Sequence, residues 1–406
     1  MLPNEGRIAH DDPLQPPDRR EDALMKFLVL GGGAQGSAAA FDLVRRPQVT
    51  QVTVADANPA HPRPFLKPHI GDRLTFLELD ATDHGAVREA MADADAVVCG
   101  LPYFFNYTMA ELAVESGCHY CDLGGNTELV EKQRTLHSEA ERLGLSVIPD
   151  CGLAPGMVNI LAQAGIDSLD STESVKIRVG GLPQHPRPPL NYQIVYSMQG
   201  VLDYYTTLSI VLEDGKLVKK DALSEIESVA FDAPVGELEA FHTAGGISTM
   251  PYRYQGVIPH MEYKTLRYPG HAKIMWAIRE LGLLSDEPVQ HGDGHVVPRD
   301  VFIDVVSPRL RNPDGQDLVA LRVEVAGKKE GGGHTVRFDL VDYYDPANRI
   351  TAMMRTTGYS LAVTSLMQAD GRVEAKGVHT PDEAMPAQAY IDELAVHGID
   401  IRREEG

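Results

Sequence analysis

Lys26-Phe27-Leu28-Val29-Leu30-Gly31-Gly32-Gly33-Ala34-Gln35-Gly36 places an apolar run directly before glycines at the first, third and sixth places of G-x-G-x-x-G. In a strand-turn-helix unit the first glycine makes the tight turn. The second lets backbone approach a pyrophosphate, and the third lets helix and strand pack closely. A phosphate then sits on the free N–H groups of the helix start. Glycine-rich turns also arise for steric reasons alone, but the context here agrees. A helical run, Ser37 to Val44, follows, and a second apolar strand, Gln51 to Ala55, ends in Asp56, twenty residues after Gly36. A carboxylate at that place accepts the hydroxyls of an adenosine ribose. The stretch reads as a dinucleotide-binding βαβ unit, with Gly31, Gly33, Ala34, Gln35, Gly36 and Asp56 as its cofactor contacts. NAD is preferred over NADP, because Asp56 repels a 2′-phosphate and Ala57 and Asn58 offer no cation; Arg63 is the one that could reach back.

Strands and helices keep alternating. Arg73 to Leu79, Ala94 to Cys99, Cys118 to Leu123 and Leu145 to Pro149 read as strands, separated by helices that include a long one over Thr127 to Leu143. Six strands with helical crossovers imply an α/β fold with a Rossmann, doubly wound parallel sheet. Ligands bind such sheets at the carboxyl ends of the strands. Those ends carry Asp80-Ala81, Leu101-Pro102, Asp122-Leu123-Gly124 and Asp150 through Pro155-Gly156, and of these Asp80, Ala81, Leu101, Pro102, Asp122, Gly124, Pro155 and Gly156 complete the expected cofactor set. Asp122 suits either a catalytic carboxylate facing the cofactor or a cap for the next helix. Asp150 and Pro155-Gly156 suit either a cofactor contact at a helix start or a simple interdomain turn.

After about residue 157 the texture changes. Val175 to Val179, Tyr263 to Tyr268, Leu318 to Ala326 and Thr335 to Tyr343 alternate polar and apolar residues, with connections too short for crossovers. This is the pattern of an α+β substrate domain with a mixed, largely antiparallel sheet. The expected division is a disordered leader over 1–24, a nucleotide domain over 25–150 and a substrate-binding and oligomerisation domain over 151–350. Helices over 351–406 then return to the nucleotide domain. Within the second half, His242-Thr243-Ala244-Gly245-Gly246-Ile247-Ser248 is small and hydroxyl-rich, as a polar-ligand pocket or a glycine bulge would be. In the strand at Glu262 to Tyr268, Lys264 and Arg267 fall on opposite faces, and a cation there either clamps a carboxylate or lies on a solvated face. Tyr196 lies near the domain junction.

The 406 residues carry a formal charge of −21, which argues against nucleic acid and acidic membranes as partners. Cys99, Cys118, Cys121 and Cys151 form no secreted disulfide framework, and Cys118-x-x-Cys121 lies on an apolar strand, as buried thiols do more often than zinc ligands. No signal peptide or membrane span is read, and a cytoplasmic protein is expected.

The Gly31 loop, Asp122-Leu-Gly-Gly125, Pro149-Asp-Cys-Gly-Leu-Ala-Pro-Gly156, Gly180-Gly-Leu-Pro183, Glu239-Ala-Phe-His-Thr-Ala-Gly-Gly-Ile-Ser-Thr249 and Glu262-Tyr-Lys-Thr-Leu-Arg-Tyr-Pro-Gly-His271 together resemble the saccharopine dehydrogenase-like family. They are most similar to its lysine 6-dehydrogenase branch. The resemblance implies NAD-dependent oxidative deamination of the L-lysine ε-amine to 2-aminoadipate 6-semialdehyde, by a homo-oligomer of two or more subunits. Relatives acting on saccharopine or carboxyspermidine-type secondary amines are the alternative, and a silent NAD-binding protein is a remoter one. In this reading Asp122 holds or deprotonates the amine, with His242 and Tyr196 as alternates. Arg267 clamps the carboxylate with Lys264 and His271 in support, and Thr243, Gly245, Gly246 and Ser248 line the pocket.

Overall fold

The computed structural model describes residues 24–195, 197–312 and 315–406. Tyr196 and all of the expected leader except Leu24 lie outside the described residues.

The first half is a parallel sheet wrapped by helices. In chain order it comprises β1 (Met25–Leu30), α1 (Ala34–Val44), β2 (Val49–Asp56), β3 (Leu74–Glu78), α2 (His84–Met91), β4 (Ala96–Cys99), α3 (Asn106–Glu115), β5 (His119–Asp122), α4 (Thr127–Gln133), α5 (His137–Arg142) and β6 (Ser146–Ile148). β1 and β4 are almost wholly buried, as strands covered by helices on both faces must be. The order is β17-β6-β5-β4-β1-β2-β3, where β17 is Gly377–Val378 from near the end of the chain, so a seventh strand joins the six expected. The reversal of order between β1 and β4 opens the crevice where such sheets take ligands. The long helix expected over Thr127 to Leu143 is instead two helices joined by a 3-10 turn at Arg134–Leu136. The break falls where Gln133 is drawn inward to Asp122, and where the Thr135 hydroxyl bonds Lys132 O at 2.7 Å and competes with the helical ladder.

The second half follows α6 (Met157–Asp167). It contains β7 (Ser171–Pro183), α7 (Met198–Thr206), β8 (Ser209–Glu213), β9 (Lys216–Lys220), β10 (Glu227–Ala230), β11 (Glu237–His242), α8 (Met250–Arg253), β12 (His260–Arg267) and α9 (His271–Glu280). Next come the β13 (Val289–His291) and β14 (Gly294–Val296) hairpin, α10 (Pro298–Leu310), β15 (Asp317–Lys329) and β16 (Gly332–Tyr343). A nine-stranded sheet runs β10-β11-β12-β7-β15-β16-β18, where β18 is Arg402–Glu405; off this path β8 pairs with β12, and β9 with β8. Only β12 with β7 is parallel; the other pairs are antiparallel. β7 continues past the expected Val179 through Gly180 and Gly181, which pair with Ala320 and Val319. A Cβ on Gly181 would lie 2.5 Å from Met353 Cε, so glycine admits the helix that follows.

That helix is α11 (Ala352–Ala369). It precedes β17 (Gly377–Val378), α12 (Pro381–Ala384), α13 (Ala387–Val396) and β18 (Arg402–Glu405). α11 is buried on nearly all sides, the pattern of a core helix. It packs on α1 at Gly358, where a Cβ would lie 2.6 Å from Ala38 Cβ. Gln368 Nε2 donates to Tyr120 O at 3.0 Å and Ser146 O at 2.9 Å, joining it to β5 and β6. One apolar cluster runs from Phe27 and Ala38 through Val363 to Val323 and Phe338, so the two sheets share a core through α11. Among the described residues no helix is long and apolar enough to cross a membrane, and all four cysteines are buried and free.

Candidate active site

The glycine loop has the shape its sequence demands. Gly31, at φ +91, has a virtual Cβ 3.1 Å from Gly100 O and 3.2 Å from Leu101 Cδ2, so Leu101-Pro102 and the loop border one space. A Cβ on Gly36 would strike the Gly31 carbonyl, whereas one on Gly33 meets nothing within 4 Å. The helix start therefore has an open flank at Gly33, no side chain caps α1, and Gln35 Oε1 is buried without a hydrogen-bond partner. These residues fit a dinucleotide pyrophosphate. Asp56 Oδ2 accepts from Gly32 N at 2.7 Å and Oδ1 from Asn58 N at 2.8 Å, which fixes its carboxylate beside the loop. Asp80, at the end of β3, forms a local turn with Thr82 N and Oγ1, both at 2.8 Å, and those bonds hold its carboxyl below the usual range. Ala81 is partly exposed beside it.

The later strand ends depart from expectation. Asp122 is fully buried; its Oδ1 accepts from Gly124 N at 2.7 Å and Asp150 N at 3.4 Å, and Oδ2 from Gln133 Nε2 at 2.7 Å. Burial raises its pKa and these donors pull it back. It therefore holds the loop rather than facing an amine, and the cap of α4 is Asn126, whose side chain accepts from Leu129 N at 3.0 Å. Pro155 and Gly156 are buried within a turn, and the first N–H groups of α6 are already taken: Met157, Val158 and Asn159 donate to Gly152, Leu153 and Gly156. Those three N–H groups are therefore not free to receive an anion.

Asp150 is the residue around which the two halves close. It ends the turn after β6 with φ +63, a conformation that side chains other than glycine adopt only when their surroundings require it. Its carboxylate lies against Gly124, accepts from Gly125 N–H, and takes the Ser248 hydroxyl of the second half on Oδ2 in a hydrogen bond. Burial first, then the charges of Asp122 and Asp382, push its carboxyl up to about 7. Asn159 Nδ2 donates to Ile247 O at 3.0 Å and pins the Ser248 loop to α6.

Behind that loop stands a buried polar cluster. Cβ atoms on Gly245 and Gly246 would run into the rings of Tyr204 and Tyr263. Thr243 Oγ1 meets Thr265 Oγ1 at 2.7 Å. Arg267, 4% exposed, donates from Nε to Tyr205 Oη at 3.1 Å and lies over the Tyr192 ring at 4.9 Å. His271 Nε2 meets Tyr205 Oη at 2.9 Å and its Nδ1 meets Leu190 O at 3.0 Å. A carbonyl only accepts, so Nδ1 donates, Nε2 accepts the tyrosine proton, and the Tyr205 oxygen accepts from Arg267. Burial and Arg267 lower the His271 pKa to about 3, which keeps it neutral.

Two predicted residues are absent from this cluster. His242 and Lys264 are cross-strand partners and share a face of the sheet, the opposite one from Thr265 and Arg267. His242 Nε2 meets Glu225 at 3.2 Å; Lys264 Nζ bonds Glu225 O at 3.0 Å and lies 3.6 Å from Glu227 and 3.7 Å from Glu262. They belong to a separate, largely buried ionic network on that opposite face. The sheet thus brings together Ser248, Gly245, Gly246, Thr243, Arg267 and His271, and separates them from His242 and Lys264. Tyr205 and Tyr192 escaped the sequence reading, since only a register across distant elements places them on Arg267.

Known proteins resemble this chain in sequence and fold. The Saccharopine dehydrogenase NADP binding domain family matches residues 27–148 and the Saccharopine dehydrogenase C-terminal domain family residues 152–399. Saccharopine dehydrogenase (NADP+, L-glutamate-forming) of Schizosaccharomyces pombe is 23% identical over 456 residues, covering 94% of this chain and 99% of that protein. The mitochondrial alpha-aminoadipic semialdehyde synthase of Mus musculus is 24% identical over 377 residues, 75% of this chain but 40% of that protein, so the chain spans less than half its length. Among solved structures, apo histidine-tagged saccharopine dehydrogenase (L-Glu forming) from Saccharomyces cerevisiae superposes with a TM-score of 0.77 at 20% identity, covering 94% of this chain and 100% of that one. Homospermidine synthase from Legionella pneumophila, in complex with NAD, gives 0.62 at 11%, covering 94% and 91%. Both structural likenesses show a common fold.

Proposed function

The chain belongs to the saccharopine dehydrogenase family of oxidoreductases, and from that premise we propose that it oxidises, or in reverse forms, the carbon–nitrogen bond of a saccharopine-type secondary amine derived from lysine. The observation that carries the reading is the buried Arg267, fixed through Tyr205 behind a glycine loop that meets the strand ends of the nucleotide half. A fixed guanidinium suits the carboxylate of an amino-acid substrate. The near full-length match to the fungal relative supports a secondary amine. A second reading, the primary ε-amine of L-lysine, draws on the crowding of Gly245 and Gly246 by Tyr204 and Tyr263, which suits a smaller substrate.

A bound nicotinamide supplies the hydride acceptor. Gly31, Gly33 and the start of α1 would hold the pyrophosphate and Asp56 the adenosine ribose. The chain's part is alignment, exclusion of water and handling of the amine proton. A lysine amine has a pKa of about 10.4, so its nitrogen must lose a proton before the adjacent carbon can release hydride. We take NAD as the preferred cofactor, because Asp56 would repel a 2′-phosphate. Asp56→Ser should then raise the ratio of NADP to NAD efficiency at least about tenfold, or about 1.4 kcal/mol; a wild type already preferring NADP overturns this choice.

The functional test is reduced-cofactor formation at mildly alkaline pH with saccharopine, L-lysine, L-ornithine and simple diamines. Saccharopine turnover with release of glutamate supports the proposal. Lysine turnover with release of ammonia moves the function to the primary amine. Dinucleotide binding with no amine oxidised defeats both.

A further inference from the structure

We infer that Ser248 and Asp150 form the proton relay that serves the substrate nitrogen, with Ser248 at the substrate end and Asp150 as the buried proton store. The inference rests on the amine chemistry proposed above, and on geometry that is independent of it.

The two side chains come from opposite halves, 98 residues apart, and meet in a hydrogen bond. Ser248 is partly exposed in its loop, whereas Asp150, its hydrogen-bond partner, is 2% exposed. Three glycines make the hollow that admits the acid. Gly124, at φ +65, leaves room for Oδ1; Gly125 donates its N–H; a Cβ on Gly156 would lie 2.7 Å from Asp150 O. Asp150 and Ser248 themselves hold positive φ, +63 and +49, without being glycine. Backbone strain of this kind persists where the surrounding structure fixes it, and it gathers at working sites.

The other candidates fail on position or protonation. Asp122 has both oxygens engaged by Gly124, Asp150 and Gln133 in full burial. His242 stands on the far face of the sheet. His271 donates to Leu190 O, accepts from Tyr205 and stays neutral. The charged groups that act on Asp150 are Asp122 from β5 and Asp382 from α12, the latter paired with Arg253 of α8 at 2.8 Å; Tyr204 of α7 is a neutral neighbour whose hydroxyl Asp150 helps push up. Two carboxylates and burial leave Asp150 able to exchange a proton near neutrality.

The step balances without a further reactant. In oxidation the substrate ammonium gives an N–H proton to Ser248 Oγ while the Ser248 hydroxyl proton moves to Asp150 Oδ2. With the nitrogen lone pair freed, the adjacent carbon would be able to release hydride to the acceptor that a bound nicotinamide would supply. After water adds to the iminium carbon, the same path run backwards returns the proton to the nitrogen and the amine departs; of the water's two protons, one charges the freed amine and the other passes to solvent.

The test compares wild type with Asp150→Asn, Ser248→Ala and Ser248→Thr. For the amine that wild type turns over, kcat/KM should fall on the acid side with an apparent pKa near 7. Asp150→Asn should cost about 100-fold or more in turnover and abolish that limb, with dinucleotide affinity retained; Ser248→Ala should do likewise, and Ser248→Thr should restore the limb. Lower turnover with an unmoved pH profile in both relay variants overturns the inference, because that is what a purely structural role produces. A second readout needs no substrate: the Asp150 carboxyl, followed by infrared difference against Asp150→Asn, should titrate near 7 and shift upward in Ser248→Ala. Titration near the ordinary carboxylate value overturns the relay whatever the activity. Silence on every amine, with the carboxyl titrating near 7, overturns the proposed function and supports the Ser248–Asp150 linkage.

Discussion

Gly124 and the carboxylate of Asp150 compete for one volume: a Cβ on Gly124 would lie 2.7 Å from Asp150 Cγ and closer still to Oδ1. Gly124→Ala should therefore displace the acid as well as strain a residue at φ +65, and destabilise the protein by about 2 kcal/mol or more. In an Asp150→Gly background the same change should cost clearly less, since only the backbone strain remains. A chemical-denaturation double-mutant cycle measures this, and strictly additive losses would refute the steric account.

The pH dependence of stability has a definite sign. The Asp150 carboxyl binds its proton more tightly folded, at about 7, than unfolded, at about 3.8. Its contribution is fully present below the unfolded value and is lost as pH rises through 7. Between pH 5 and pH 8 the loss is on the order of 3 kcal/mol. Asp150→Asn does not titrate, so the Tm of the variant relative to wild type should rise over that interval. A difference that stays flat with pH would show that Asp150 ionises as an ordinary carboxyl.

Gly33 and Gly36 separate folding from binding. A methyl group on Gly36 collides with the Gly31 carbonyl, whereas one on Gly33 enters open space. Gly33→Ala should melt close to wild type yet bind dinucleotide at least about tenfold more weakly, a difference of about 1.4 kcal/mol. Gly36→Ala should lower Tm even without ligand. Undiminished affinity in Gly33→Ala, by calorimetry, would mean that the pyrophosphate lies elsewhere.

Tyr205→Phe removes the oxygen that joins Arg267 to His271 and deprives the buried His271 Nε2 of that hydrogen bond. A stability loss of about 1–3 kcal/mol is expected. If Arg267 clamps the substrate carboxylate, KM for a carboxylate-bearing amine should rise several-fold while kcat changes little. Steady-state kinetics with saccharopine or lysine decides it; a fall confined to kcat would place Arg267 nearer the reacting bond.

The nucleotide half was legible because its signals are local. Gly31, Gly36 and Asp56 lie within one βαβ unit, and their spacing alone dictates that they meet. Arg267 and Lys264 were also separable, since strand parity puts them on opposite faces. The same parity parts His242 from Thr243, and only the glycine-rich texture after it made one continuous pocket seem natural. Asp150 was visible as a strand-end acid, but its partner Ser248 arrives from a loop 98 residues on. The Tyr205 bridge depends likewise on α7 docking against the start of α9, and no periodicity encodes that contact.

The burial of α11 bears on how this protein can be rebuilt. Residues 25–150 carry the dinucleotide motif, yet the helix that covers α1, β4 and β5 comes from 352–369, after the whole second sheet. The nucleotide half is therefore no portable cassette. Cut out alone it would bare the small-residue face at Ala38 and Ala39 and leave Gln368's acceptors on Tyr120 and Ser146 unmet. A chimera made to exchange cofactor preference has to take α1 and α11 from the same parent.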